Sequence, residues 1–150
     1  MKKKQLLTLA ILLAFAWIAQ SCHTYVFENV KGKIVGRWTL LPASAGNLIE
    51  FEFFDNDSLT VYYNGAVKQL KSQDGSMVNK IGYNIQNRVA NHYILFDKTE
   101  IPDMGALARI FLNPKEYLII NVGKEDMALE SIGEDKSLKG EYQLEFFKSR

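Results

Sequence analysis

Cysteine, histidine and proline are scarce: the 150 residues include one, two and three of them. A single cysteine excludes an internal disulfide framework and any cysteine-rich zinc module. Two histidines, His23 and His92, supply too few ligands for a histidine metal cage. An excess of one charge is also missing. The 18 basic and 17 acidic residues nearly cancel, which removes the electrostatic footprint of a nucleic-acid binder. No phosphate-cradling glycine loop occurs, because Gly32 and Gly36 are spaced wrongly for one. No serine or aspartate near His92 completes a triad motif, so His92 reads as a strand residue. Asp55, Asp57 and Glu50 lack the spacing of a calcium loop and read as a turn with its flank. The expectation is a protein that is not an enzyme and uses no cofactor or metal.

What the chain does have begins at its amino terminus. Lys2, Lys3 and Lys4 precede an apolar run from Leu6 to Ala19 that only Thr8 interrupts. A membrane-spanning helix needs about 20 such residues. This run is shorter and fits the core of a signal peptide over residues 1–21. It ends at Ile18-Ala19-Gln20-Ser21-Cys22, which resembles the lipobox of bacterial lipoproteins. That resemblance implies that Cys22 is lipidated and becomes the new amino terminus. The thiolate suits this chemistry because it is a strong nucleophile. Two or more acyl chains make such an anchor stable. The three leading lysines leave with the signal peptide, so the remaining chain carries 15 basic and 17 acidic residues. A mixed surface of that kind does not form a polybasic membrane patch. Residues 22–33 read as the lipidated tether, and His23 belongs to it. No acidic cluster follows Cys22, which favours an outer-membrane protein facing the periplasm.

From Ile34 onward the periodicity is two. Ile49, Phe51 and Phe53 alternate with Glu50 and Glu52, and Leu59, Val61 and Tyr63 with Thr60 and Tyr62. Ile81, Tyr83 and Ile85 follow the same rule, as do Tyr142, Leu144 and Phe146. One apolar and one polar face per strand is the antiparallel pattern. Glu50 and Glu52 then share the outer face, where they read as solvated edge charges. Asn64-Gly65 is a strong hairpin signal, with Asp74-Gly75 a second. Asn113-Pro114, Gly123 to Asp126 and a polar loop from Gly133 to Gly140 punctuate the later half. The spacing predicts an all-β domain over residues 34–150, an up-and-down meander of about eight to ten strands closed into a barrel. One stretch, Asp97 to Leu107, breaks the alternation and holds Pro102 and Gly105. It reads as a connection, or as a lid that turns Met104 and Leu107 toward a ligand.

Ile34-Val35-Gly36-Arg37-Trp38 resembles the Gly-x-Trp opening of lipocalin-like domains. Phe51-Glu52-Phe53-Phe54-Asp55-Asn56-Asp57 is similar to the next element of small bacterial lipocalin-like lipoproteins. The resemblance implies that Gly36 and Trp38 close one end of the barrel, with an arginine near the last strand stacked over the indole. Lys148 and Arg150 are the two basic residues on offer. It also implies an interior able to hold a small hydrophobic ligand. The side chains expected to line that interior are Phe51, Phe53, Tyr63, Tyr83, Tyr142 and Phe146, which could equally fill it. Asp57-Ser58-Leu59 resembles a bacterial O-glycosylation signal, making Ser58 a candidate modification site.

The function expected is that of a cell-envelope lipoprotein that binds a small hydrophobic ligand; the alternative is a protein-interaction module, such as a periplasmic inhibitor or an envelope assembly partner, that uses the barrel as a scaffold. The membrane enters as a partner through the N-terminal lipid, and no nucleic acid is expected. Cys22→Ser is expected to move the protein from the membrane to the soluble fraction on cell fractionation. Unchanged membrane retention in that variant would discard the lipid anchor.

Overall fold

A computed structural model describes residues 30–112, 116–133 and 142–149. The expectations for residues 1–21, Cys22, His23, Asn113-Pro114, Arg150 and most of the loop from Gly133 to Gly140 lie outside those residues. Twelve strands follow in order: β1 (Gly36–Leu40), β2 (Ile49–Phe53), β3 (Ser58–Tyr63), β4 (Ala66–Val67), β5 (Leu70–Ser72), β6 (Met77–Val78), β7 (Ile81–Arg88), β8 (Asn91–Phe96), β9 (Thr99–Glu100), β10 (Tyr117–Val122), β11 (Asp126–Ser131) and β12 (Gln143–Lys148). A short 3₁₀ helix, Gly105–Arg109, lies between β9 and β10.

Eight of the strands close on themselves. Around the barrel they run β1-β2-β3-β7-β8-β10-β11-β12, with β12 back against β1. Every barrel pairing is antiparallel, and each strand neighbours the barrel strand that precedes it in the chain. This is the up-and-down order of a lipocalin-like barrel. Period-two alternation makes it possible, because one face of every strand is apolar and closure turns those faces inward. β4 extends the sheet beside β3, and β6, β5 and β9 form a small separate sheet. These four short strands sit in the connections between barrel strands.

Alternating strand directions sort the connections to two ends. Residues 31–35 and the turns 54–57, 89–90 and 123–125 share one end, called the floor here. The connections 41–48, 64–80 and 97–112, with residues 132–133 and 142, share the other, the mouth. At the mouth, Asn64 (φ 49°) and Gly65 (φ 80°) turn β3 into β4. Both central residues have positive φ, as a type I′ turn requires, and Asn and Gly tolerate that conformation. At the floor the expected tether ends early. Residues 30–34 form a helical turn, Ile34 is buried, and Lys31 Nζ lies 2.7 Å from Asp57 Oδ1.

Closure also corrects the expectation for Glu50 and Glu52. β2 pairs on both sides and is not an edge. Glu50 is only 8% exposed, with Oε2 accepting from Arg37 Nη2 at 2.7 Å. Glu52 accepts from the Tyr62 hydroxyl at 2.6 Å, and the Arg37 guanidinium lies 3.8 Å over the Tyr62 ring. The two carboxylates are therefore held in a packed outer network rather than left in water.

The core lies inside the barrel and at its mouth. Trp38, Phe51, Phe53, Leu59, Ile94, Tyr117 and Phe146 are buried on barrel strands. Ile101, Ile110 and Phe111 are buried from the segment that follows β9, and Leu70 from the small sheet. Each such side chain contributes about 1.5–3 kcal/mol by leaving water. Phe111→Ala is expected to lower unfolding stability by about 3–5 kcal/mol, read as a shifted midpoint in chemical denaturation. A change no larger than that of an exposed-site control would show that Phe111 is not part of the core.

Candidate functional site

Two places have the geometry of a site: the floor around Trp38 and the interior above it. At the floor, Trp38 is fully buried, and its indole Nε1–H donates to the Ile34 carbonyl at 2.6 Å. Trp38 pairs with Phe51 on β2 and with Lys148 on β12. The register brings the Lys148 ammonium 4.2 Å above the indole ring, where its charge meets the negative π face. Lys148 Nζ also donates to the Val35 carbonyl at 2.8 Å. Burial pulls the Lys148 ammonium below its ordinary pKa, because desolvation penalises its charge. Of the two basic residues offered by the last strand, Lys148 takes the place over the indole; Arg150 is outside the described residues.

Gly36 is what lets the lysine cross. Its φ is +122°, and a Cβ there would stand 2.5 Å from Lys148 Nζ. The glycine is therefore used twice, for a backbone conformation closed to other residues and for the space that the ammonium occupies. This arrangement packs the indole, the ammonium and the glycine together at the floor.

Inside, four of the six residues expected to line the barrel do so: Phe51, Phe53, Tyr83 and Phe146 are each at most 4% exposed. Their rings join a single network. Phe51 is 5.2 Å from Phe146 and 6.5 Å from Phe53, and Phe53 meets Tyr83 edge-on at 5.3 Å. The other two stand at the mouth, half-buried. Tyr63 donates its hydroxyl to Asn47 Oδ1 at 2.9 Å, and the Tyr142 N–H donates to Ser131 Oγ at 2.8 Å. Ser58 is half-buried at the start of β3 and donates to Asn56 Oδ1. His92 sits on β8 opposite Asn87, also half-buried.

The segment from Asp97 onward does cross the mouth, by other residues than expected. Met104 and Leu107 are only half-buried, whereas Ile101, Ile110 and Phe111 point inward and are at most 1% exposed. Phe111 lies 5.5 Å from Phe51 and 4.8 Å from Phe96, so it joins the interior network. The Tyr117 hydroxyl donates to the Ile110 carbonyl at 2.7 Å and ties the segment down. Strand periodicity could not reveal Phe111, since the segment has no alternation. Its one signal was the apolar triplet Ile110-Phe111-Leu112.

A ligand-sized cavity would expose its lining side chains to a water-sized sphere. Phe51, Phe53, Phe111, Tyr117 and Phe146 are exposed by 2% or less. Among the described residues, these rings pack against one another without a gap of the roughly 300 Å³ that a drug-sized ligand needs. Two depressions that do have volume lie on the outside and are open to solvent. One, of about 580 Å³, is lined by Leu41, Pro42, Ala43, Gln143 and Glu145. The other, of about 610 Å³, lies at the mouth between Val67, Lys68, Gln69, Met77, Asn79, Pro102 and Asp103.

Tyr83 reports on the interior directly. Its hydroxyl donates to the Phe54 carbonyl at 2.8 Å. Burial, then the charges of Asp57 and Asp55, push its pKa from the ordinary 10.0 up to about 12. Between those values the unfolded chain releases the proton while the folded chain keeps it. This contribution to stability is therefore complete below pH 10 and lost as pH rises toward 12. Tyr83→Phe is expected to flatten that alkaline fall, measured by denaturation at several pH values, and to cost about 1 kcal/mol near neutrality through the lost hydrogen bond. An unchanged alkaline slope would show that Tyr83 does not carry it.

No protein-family profile, no curated protein and no solved structure matches this chain.

Proposed function

We propose that this protein is a lipid-anchored, non-enzymatic component of the cell envelope whose lipocalin-like barrel serves as a scaffold for a protein partner. The packed interior carries this reading. An aromatic network occupies the space in which a ligand-binding barrel keeps its ligand, and the connection from Asp97 to Leu112 plugs the mouth. A filled barrel is rigid, and rigid scaffolds present loops well. At the mouth, the depression between β4, β6 and the Pro102 turn offers an apolar contact inside a polar rim. Val67 and Met77 are 48% and 49% exposed there.

A second reading is the binding of a small hydrophobic ligand. One observation favours it: Ile110 and Phe111, which occupy the mouth, belong to an irregular connection. Swinging that connection out would open the interior without breaking a barrel strand pair.

The two readings separate in one pair of measurements on the full chain. Under the scaffold reading, affinity capture from native membranes recovers one partner in stoichiometric amount, and Met77→Glu abolishes its recovery. Fluorescent fatty acid added to the purified protein then stays free. Saturable fatty-acid binding together with capture indifferent to Met77→Glu would replace the scaffold reading with the ligand-binding one.

A further inference from the structure

We infer that the floor end of the barrel rests on the bilayer surface through a rim of three apolar side chains, Val89, Ile120 and Phe147; this rests on the lipid-anchored reading above. All three are exposed, by 95%, 53% and 40%. Val89 is at the tip of the β7–β8 hairpin, a floor turn. Ile120 is in the lower half of β10, and Phe147 is near the floor end of β12. Carrying the β8–β10 register two residues on sets Ile120 level with Asn91, beside the hairpin tip. Phe147 pairs with Asp126 at the start of β11, one strand further round.

Two of the three sit at backbone irregularities. Val89 has φ +57°, in the left-handed region. A β-branched residue there is a steric outlier, at a turn position that Gly or Asn usually fills. The registry between β10 and β11 shifts between Ile119 and Asn121, leaving Ile120 as the extra residue of a bulge. Ile120 and Asn121, the two residues of the bulge, are both exposed on the outer face. Two unrelated irregularities on the same rim thus each carry an exposed aliphatic group, from which folding alone gains nothing.

Chain length identifies the occupant. Nine peptide links separate Cys22 from Lys31, whose ammonium pairs with Asp57 at the floor. Fully extended they reach about 30–32 Å. A lipid on Cys22 therefore keeps the floor within a short distance of the bilayer and leaves the mouth free to face a partner. Charge does not supply the attraction, because exposed Lys33 and Lys124 are offset by exposed Asp55 and Glu125 at the same end. The contact is one of shallow apolar insertion, as in proteins that lie on a membrane interface.

Lipidation consumes Cys22, so an introduced cysteine carries a unique label. The lipidated full chain is reconstituted in phosphatidylcholine vesicles with an environment-sensitive fluorophore at Val89→Cys, Ile120→Cys or, as the mouth control, Val67→Cys. Brominated acyl chains are expected to quench the first two several-fold more than the third, and raised salt leaves this unchanged. Val89→Asn, which suits the positive φ and preserves the fold, is expected to reduce quenching at position 120. Equal quenching at 67, 89 and 120 overturns the proposal, as does protection of position 89 from an aqueous quencher without quenching by brominated lipid, which marks a protein contact instead. Undiminished quenching at 120 in Val89→Asn also overturns the rim as a unit. The anchor is read separately: if the lipidated chain co-floats with vesicles and Cys22→Ser does not while the labels stay exposed, only the rim fails. If wild type and Cys22→Ser partition alike, the anchor fails, and the rim with it.

Discussion

Closure of eight strands is the constraint from which the other features follow. A barrel of that size encloses little more than its own inward side chains need. With Phe51, Phe53, Tyr83, Phe96 and Phe146 on its walls, the interior is a packed aromatic core, and Phe111 completes it from a connection. Offset and edge-on ring contacts at about 5 Å add directional attraction to burial. The same closure removes sheet edges, which explains how Glu50 becomes buried beside Arg37 on an outer wall that alternation alone would assign to water.

The floor fixes one side chain from two sides. The indole is anchored to a carbonyl on one side and covered by a cation on the other. An ammonium needs fewer fixed partners than a guanidinium, and one carbonyl, from Val35, meets Lys148. Desolvation weakens its charged form, while the indole face and the carbonyl compensate. Gly36 links the two requirements in one position, and this is why it opens the first strand.

The two ends of the molecule thereby acquire different characters. The floor has short turns and carries exposed apolar groups, Val89, Ile120 and Phe147. Among the described residues, the elements inserted between barrel strands are at the mouth: β4, β5, β6, β9, the 3₁₀ helix and the plug. Under the proposed function, an anchor near the amino terminus and long connections at the far end would divide attachment from recognition along one axis.

Much of this was legible in the residues. Alternation over Ile49–Phe53 and Ile81–Ile85, with Asn64-Gly65 between strand runs, determined an antiparallel meander, because a pleated strand repeats every two residues and that turn needs two positive φ angles. Gly36 and Trp38 marked the first strand and the closed end. Local pattern could not place Phe111, choose Lys148 for the indole, or bury Glu50. Each depends on which distant segments closure brings together: β12 against β1, and residues 97–112 across the mouth. Whether an aromatic-lined barrel is hollow or full is likewise a question of summed volume, and periodicity carries no information about volume.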